Sequence, residues 1–524
     1  MPRSQQSFPL IAICLLVMLV QPATVAGQTL AAATPNATVD AYRDIVPDLR
    51  VETIAETANA INRYQIDVAL NADVRTLSGT LRATFVNTTT VSLPEVYFRL
   101  FPNAAYYGDG ALTIDAVEIA GQPAAWSLEV VETALRVDLP KPVDPGRSAT
   151  VDMNFTTVVP VNSEGSFGIF SYGRGDGTWI LADWHPVLAV FEEGRGWRID
   201  PPTSFGDPTF AASALYEVQL ALAESLTVVT SGVEVAESRQ EDLVTRQFTA
   251  GPAREFTLVI DDDYQSLSAD ANGTTVTIFT GPAEAGSETA IARERTLAVA
   301  VEALAVYGDR FGPYPYVELD LVETRLIDAF AVSWGGIIFL DGSTLLGEYA
   351  ANNPAGSATV IAHEVAHLWW GAAIGSNSND HTFVNEGLAT LSSMVFQEER
   401  GDGEVVAAEF ETWVVAPSRL LLGRGDTIVD EPLREGQDPT LRAWAFYAKA
   451  ALAFSALRQE IGDEAFFAAL RAYADRYQHQ IAEPDDLRQA FETASGRDLE
   501  AFWTSWFEAT DLTVEQIDAV AGAA

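Results

Sequence analysis

The chain has 524 residues, of which 48% are hydrophobic and 10% aromatic. This composition excludes a disordered protein, and the length predicts about three domains at roughly 150 residues each. With 73 acidic and 31 basic residues the formal net charge is −42, which repels phosphate backbones and anionic lipid surfaces, so nucleic acid is excluded as a partner.

Residues 1–26 have the pattern of a secretory signal peptide. Arg3 precedes an apolar run from Phe8 to Val20, and small residues up to Gly27 offer a cleavage site. The run has 13 residues, fewer than the roughly 20 of a membrane-spanning helix. We expect cleavage and export to the cell envelope or the medium, with no stable membrane span; an uncleaved signal would instead anchor the chain. The single cysteine, Cys14, lies in this run, so any metal in the mature chain must be bound by His and carboxylate ligands.

Residues 27–60 show little hydrophobic periodicity and are predicted to be a poorly ordered lead-in. From residue 61 to 265 the chain alternates β-branched or aromatic residues with polar ones between Gly, Pro and Asn turns, as in YQIDV from Tyr64. This alternation predicts an N-terminal β domain.

Residues 270–512 are predicted to form a second domain that passes from α/β to mainly helical. Ala-rich helical sequence runs to Tyr307, strands follow at residues 317–323 and 336–340, and helical patterns dominate from Ala358. Residues 513–524 are predicted to be a tail. The overall prediction is a multidomain α+β protein without internal repeats.

The segment TVIAHEVAHLWWG predicts a buried helix from about Ser357 to Gly371. His363 and His367 lie four residues apart, so both imidazoles project from one helix face and can share a tetrahedral cation. Glu364 lies about 100° around the helix, which suits a group that polarises water on the metal without binding the metal. The 18 residues 368–385 are long enough to bring Glu386 back beside the histidines as a third ligand.

HEVAH, this spacing and the glutamate of NEG resemble the gluzincin pattern, specifically the M1 family of metallopeptidases, most of which are aminopeptidases. The resemblance extends from Tyr64 to Leu512 through YGDRFGPYPYVELDLVE, FVNEGLAT and YAKAALAFSALRQEIG. It implies a β-sandwich or saddle-like N-terminal domain followed by a thermolysin-like catalytic domain, in a short form without the family's large C-terminal helical domain. It also implies one Zn²⁺ bound by His363, His367 and Glu386, with Glu364 as general base and Tyr447 as hydrogen-bond donor to the oxyanion.

One segment departs from the family pattern. M1 aminopeptidases usually carry a GAMEN-like segment whose glutamate binds the substrate's α-amine, and this chain has Ser333 at the matching place. A hydroxyl cannot neutralise a desolvated ammonium group, so Asp328 or Glu323 is a candidate replacement. We expect Ser333, Gly335 and Gly336 to contact substrate, with an edge strand from Gly335 to Leu340 aligning an extended peptide.

The sequence therefore predicts an exported zinc peptidase acting on peptides or proteins, and an M1-type aminopeptidase in the first place. Three alternatives stay open: a zinc endo- or oligopeptidase without strict N-terminal selectivity, a zinc hydrolase of a non-peptide bond, and a non-catalytic surface binding protein on the same scaffold. Metal content separates the last from the enzymes, and product analysis separates the enzymes from one another.

Overall fold

The computed structural model describes residues 41–204, 209–434 and 436–522. The predicted signal peptide, and residues 27–40 of the predicted lead-in, lie outside these ranges. Among the described residues, no helix combines the length and the apolar character needed to cross a membrane.

The second part of the lead-in is ordered, so the prediction of a poorly ordered segment is wrong for residues 41–60. A helix spans Pro47–Thr57, with Pro47 at its first position, where a missing N–H costs nothing. Before it, Tyr42 and Ile45 are fully buried in the core of the second domain. The helix itself buries only Thr53, so hydrophobic periodicity gave no indication of it.

The N-terminal β domain is built on an eight-stranded mixed sheet. Strand Asn62–Asn71 alternates buried and exposed residues, and its residues Tyr64, Ile66 and Val68 pack in the domain core. In order across the sheet the strands are Val233–Gln240, Leu243–Ala253, Ala214–Ala223, Asn62–Asn71, Thr76–Val86, Ser148–Val158, Ala111–Ile119 and Gln122–Pro123.

Two four-stranded sheets and a short hairpin complete this domain. The first sheet has strands Thr227–Thr230, Leu258–Asp261, Trp179–Leu181 and Phe170–Tyr172. The second has strands Val187–Leu188, Leu93–Arg99, Ala134–Val143 and Trp126–Glu129. The hairpin pairs Phe191–Glu192 with Gly196–Trp197.

The second domain begins with a five-stranded sheet. Its strands, in order, are Gln265–Ala271, Thr274–Thr280, Glu318–Thr324, Ile337–Asp341 and Ala331–Trp334. Strand Ile337–Asp341 is therefore paired on both sides, and the prediction that residues 335–340 form the edge is wrong. The edge strand is Ala331–Trp334, because the chain turns back on itself at Gly335 and Gly336, and Gly336 adopts a positive φ of 86°.

Helices make up the rest of the second domain. The α-helices span Glu288–Phe311, Gly342–Leu345, Glu348–Asn352, Pro354–Ala366, Thr382–Arg400, Gly403–Phe410, Ala416–Arg424, Pro439–Ala443, Ala450–Ile461, Asp463–Tyr477, Pro484–Ser495, Glu500–Trp503 and Val514–Ala521. Short π-helical stretches lie at Glu411–Val415, Trp444–Lys449 and Thr504–Glu508. The 3₁₀ turns Phe101–Asn103, Ala105–Tyr107 and Ser166–Gly168 belong to the β domain. The predicted order of a β domain followed by an α/β and then helical domain is confirmed.

Residues 513–524 do not form a free tail as far as the described residues extend. Thr513 and Gln516 make a capping box at the start of helix Val514–Ala521. Ile517 and Val520 are buried in the core of the second domain. A hydrogen bond from the Gln459 side chain to the carbonyl oxygen of Val520 and an ion pair between Arg419 and Asp518 also hold this short segment.

Arg254 connects the two domains. It lies on the segment that follows strand Leu243–Ala253, and its guanidinium is buried. Its N–H groups donate to five backbone carbonyl oxygens, those of Ala211, Gly371, Ala372, Ala373 and Gln480. Three of these acceptors form the turn after the helix that carries His363 and His367, so this one side chain fixes that turn against the β domain.

Candidate active site

The helix that carries both histidines, the HEVAH helix, spans Pro354–Ala366 instead of the predicted residues 357–371. Its start is fixed by Asn353, whose side chain accepts a hydrogen bond from Gly356 N–H, and by Pro354 at the first position. Nearly all its residues are buried, and the Tyr307 hydroxyl donates to the carbonyl oxygen of Ala362 at 3.0 Å. The helix is therefore held on several sides.

Glu386 lies on the next long helix, Thr382–Arg400, which we call the Glu386 helix. Gly387 allows this helix to approach helix Ala450–Ile461 closely, since a Cβ at position 387 would lie 2.6 Å from the Cβ of Ala450. The preceding Asn385 side chain accepts a hydrogen bond from the Ser376 hydroxyl at 2.8 Å. Both contacts fix the direction in which Glu386 projects.

The structure brings His363, His367 and Glu386 together in a half-buried triangle. The Nε2 atoms of the two histidines are 3.1 Å apart, and each lies 3.2 Å from Glu386 Oε2. His367 Nδ1 lies 3.0 Å from the carbonyl oxygen of Trp370, which can only accept, so the neutral ring carries its proton on Nδ1. Its Nε2 lone pair then faces the other two ligand atoms.

Charge interactions within this triangle shift two pKa values in opposite directions. Burial alone would lower the pKa of His367, but the charge and hydrogen bond of Glu386 raise it to about 9. Burial alone would raise the pKa of Glu386, but the two histidines hold it well below its usual range. The site thus favours positive charge at the centre of the triangle.

The geometry of these three atoms fits zinc. A tetrahedral Zn²⁺ with bonds of about 2.0 Å to nitrogen and oxygen separates its ligand atoms by about 3.3 Å. The observed separations of 3.1 and 3.2 Å agree with that value. Two histidines and one carboxylate also leave a fourth position open, as catalytic zinc sites require.

Glu364 lies beside this triangle. Its side chain is buried and is contacted by Ser333. The Ser333 hydroxyl is 2.6 Å from Glu364 Oε2 and 3.1 Å from the carbonyl oxygen of Glu364. Ser333 therefore lines the cleft, and its hydroxyl interacts with the glutamate of the HEVAH motif. This contact was not foreseen, because it depends on how the edge strand packs against the HEVAH helix. The contact of Ser333 with substrate stays a prediction.

Tyr447 lies next to His363 and projects from a π-helical turn, Trp444–Lys449, that interrupts a longer helical segment. Its ring centroid is 5.8 Å from that of His363 and 4.9 Å from that of Phe446. A π-helical turn inserts an extra residue and so changes the direction of the side chains it carries. The turn is not visible in hydrophobic periodicity, so the helical pattern predicted for this region did not indicate it.

These residues line a cleft of about 510 Å³ between the two domains. The β domain contributes Phe167, Ile169, Thr209, Ala211, Arg254 and Glu255 to its walls. The opposite end is aromatic, with Phe330, Trp413 and Trp444 among the lining residues. The β-domain side of the cleft was not predicted from the sequence, where the adjacent charges of Arg254 and Glu255 after a strand are the available indication.

Four other predicted substrate contacts have different outcomes. Asp328 lines the cleft with an exposed side chain and a left-handed φ of 56°. Glu323 does not line it, because its carboxylate accepts a hydrogen bond from Gly281 N–H and packs against Gly342. Gly335 and Gly336 do not line it either: they form the tight turn after the edge strand, packed near Ala372 and Ser231. The contact of these two glycines with substrate therefore stays a prediction that the cleft lining does not support.

Comparison with known proteins agrees with this geometry. The family model described as the peptidase family M1 domain matches residues 295–506. Aminopeptidase N of Lactococcus lactis subsp. lactis is 23% identical over 423 residues, which cover 78% of this chain and 48% of that protein. The chain thus spans about half the length of this relative.

Solved structures show the same fold. The M1 zinc metallopeptidase from Deinococcus radiodurans has a TM-score of 0.61 and 19% identity, covering 87% of this chain and 94% of that chain. A mutant of that enzyme bound to the substrate Tyr-Ser-Ala also has a TM-score of 0.61, with 18% identity and coverage of 87% and 95%. The likeness spans both domains described above.

The fold is that of solved M1 zinc metallopeptidases, and the site brings together two histidines of an HExxH helix and a glutamate of the next long helix. Residues 295–506 match the M1 peptidase domain, and the chain is similar to aminopeptidase N. Zinc is the cofactor that this family implies, and the three ligand atoms fit it.

Proposed function

We propose that this chain is an exported zinc aminopeptidase that releases residues from the N-terminus of peptides. The observation that carries the proposal is the convergence, in one interdomain cleft, of the His363, His367 and Glu386 triangle with Glu364 and Tyr447. These residue types supply the ligands, a proton acceptor and a hydrogen-bond donor, which are the groups that metal-assisted amide hydrolysis needs.

Each residue has a distinct task. His363, His367 and Glu386 would hold a zinc ion, which would supply a Lewis acid that lowers the pKa of bound water. Glu364 accepts the proton of the attacking water and passes it to the leaving amine. The Tyr447 hydroxyl donates a hydrogen bond to the substrate oxygen on which negative charge develops. The β domain covers the cleft and limits the access of bulk water to these groups.

Two features of the cleft favour a substrate with a positively charged N-terminus. Its lining includes the carboxylates Glu255 and Asp328 in addition to Glu364 and Glu386. The one arginine in the lining, Arg254, donates to backbone carbonyl oxygens within the protein. An anionic cleft attracts an ammonium group and repels a carboxylate. We assign Asp328 or Glu255 as the acid that replaces the family's amine-binding glutamate.

The edge strand Ala331–Trp334 lines the cleft beside Glu364, so an extended peptide can pair with its main chain while the scissile bond lies at the metal. The names of the relatives support exopeptidase action, since the Lactococcus protein is an aminopeptidase N and the Deinococcus mutant is bound to a tripeptide. Export is proposed from the signal-like sequence of residues 1–26.

The test is mass-spectrometric analysis of products from paired peptides, free and N-acetylated, incubated with the zinc-loaded mature chain. Chelated protein and protein reloaded with Zn²⁺ serve as controls. Stepwise, chelator-sensitive loss of single residues from the free peptide alone is the expected result. Internal cleavage of both peptides would replace the aminopeptidase with an endo- or oligopeptidase, and no cleavage of either would favour a non-peptide substrate or a binding role.

A further inference from the structure

The Ser333 hydroxyl makes a short polar contact with the Glu364 carboxylate. The distance of 2.6 Å between Ser333 Oγ and Glu364 Oε2 lies in the range of a charge-assisted O–H···O⁻ bond. A hydroxyl has one proton, and a carbonyl oxygen also lies 3.1 Å away. The shorter contact, to the charged acceptor, is the stronger one, so Ser333 donates to the carboxylate.

Both partners are held by regular structure. Ser333 pairs with Ile338 in the middle of the edge strand. Glu364 is 7% exposed and lies in the last turn of the HEVAH helix. In that turn the N–H of Leu368 donates to Val365 at 3.2 Å, where a continuing α-helix would direct it to Glu364. The Ser333 hydroxyl thus lies beside both the carboxylate and the backbone carbonyl oxygen of Glu364, where the HEVAH helix ends.

We propose that Ser333 is a positioning residue for Glu364, the general base. This proposal rests on the proposed function. Its hydroxyl binds one carboxylate oxygen of Glu364 and so fixes the plane of the carboxylate, leaving the second oxygen to meet the attacking water. In this chain the position that resembles the family's amine-binding glutamate therefore acts on the base. A general base held within about 0.5 Å of its productive position keeps its full effect, and a displacement of about 1 Å can reduce the rate by about 10²-fold.

Three variants of the zinc-loaded mature chain test this role. Ser333→Ala removes the hydroxyl, and Ser333→Thr restores one on a residue type that strands favour. Ser343→Ala is the matched control: the Ser343 hydroxyl also donates to a carboxylate, that of Asp341, at the same distance of 2.6 Å. Ser343 lies at the end of the same sheet but does not line the cleft.

We expect Ser333→Ala to lower kcat by about 10- to 100-fold, because the base loses its fixed orientation. KM and zinc content stay at wild-type values. Ser333→Thr recovers most of kcat, and Ser343→Ala leaves kcat and KM unchanged. In crystal structures of the zinc-loaded proteins the Glu364 carboxylate keeps one orientation in the wild type and in Ser333→Thr and turns in Ser333→Ala.

A rise in KM at constant kcat would make Ser333 a substrate contact and overturn the proposal, as would a Ser333→Ala enzyme equal to the wild type. If the wild type cleaves no peptide, the proposed function fails on its own, and the crystal structures still decide the role of Ser333. An unchanged Glu364 carboxylate in Ser333→Ala would then overturn it, and a turned carboxylate would support it.

Discussion

Gly387 and Ala450 meet where the Glu386 helix crosses the helix that continues from Tyr447, and a Cβ at 387 would lie 2.6 Å from the Ala450 Cβ. We expect Gly387→Ala to push these helices apart, lowering zinc occupancy and destabilising the fold by roughly 1–3 kcal/mol. Zinc content and urea unfolding measure both effects. Gly403→Ala is the control, since a Cβ there meets nothing within 4 Å; equal effects of the two variants would contradict the close contact.

Glu364→Gln should retain zinc and lose turnover by about 10²- to 10⁴-fold, the usual contribution of a general base. The amide keeps the volume of the side chain and can still accept a hydrogen bond from Ser333, but it cannot take a proton. Metal analysis and single-turnover kinetics measure the two properties separately. Glu294→Gln, on an exposed helical position, is the control for the charge change. Undiminished turnover in Glu364→Gln would remove Glu364 from the mechanism.

Tyr447→Phe should lower kcat by about 10²- to 10³-fold, because the variant lacks the donor to the developing oxyanion. The ring contacts with His363 and Phe446 remain, so zinc content and thermal midpoint should not change. Steady-state kinetics and differential scanning calorimetry provide the measurements, with Tyr349→Phe as a control outside the cleft lining. An effect on stability alone would return Tyr447 to a purely packing role.

Arg254→Lys should destabilise the protein by at least about 2 kcal/mol, because lysine has three donors in place of five and leaves buried carbonyl oxygens without partners. Burial lowers the pKa of Arg254 to about 10, with the charge of Glu255 acting in the opposite direction, so the guanidinium stays charged at neutral pH. Urea unfolding of Arg254→Lys, beside the exposed control Arg239→Lys, measures the loss. Equal stability of the two variants would refute the role of Arg254 as an interdomain tie.

Stability should fall as pH rises through the neutral range, partly because of Asp44. Burial, and secondarily the charge of Glu318, raise the pKa of this carboxyl from its ordinary 3.8 to about 8, although a hydrogen bond from Gly251 N–H lowers it. Between those values the unfolded chain is ionised and the folded chain is not, so each pH unit costs about 1.4 kcal/mol. The stabilising contribution of Asp44 is fully present below pH 3.8 and is lost as the pH rises to about 8.

Asp44→Asn removes this contribution and should flatten the dependence of unfolding free energy on pH between pH 5 and 7. Urea unfolding of the zinc-saturated protein at both values measures the slope, and the exposed Asp48→Asn should leave it unchanged. A parallel shift of the whole curve, without a change in slope, would show that Asp44 is ionised in the folded state. Asp320, whose pKa burial also raises, adds to the slope in both proteins.

The sequence allowed prediction of those features that depend on short-range patterns. Alternation along strands such as Asn62–Asn71 defined the β domain, and the four-residue spacing of His363 and His367 placed both imidazoles on one helix face. Helix Pro47–Thr57 escaped prediction because it buries a single residue, and helix Val514–Ala521 because its segment is short. In both cases tertiary contacts, and not periodicity, hold the segment in place.

The remaining features of the site depend on packing between distant segments. The edge position of Ala331–Trp334 follows from strand order, and the contact between Ser333 and Glu364 follows from how that edge meets the HEVAH helix. Neither is encoded in the local sequence of one segment. Arg254 is a similar case, since its acceptors at Gly371 and Gln480 lie 117 and 226 residues further along the chain.

The edge strand has only four residues, Ala331–Trp334, and ends at the Gly335 turn. Exposed strand edges pair readily with any extended chain, and long flat edges are the usual starting points of aggregation. A short substrate needs only a few main-chain hydrogen bonds, which four residues can provide. A growing stack of misfolded chains needs many more. The brevity of this strand therefore limits the number of main-chain hydrogen bonds that a second, misfolded chain could make at this edge.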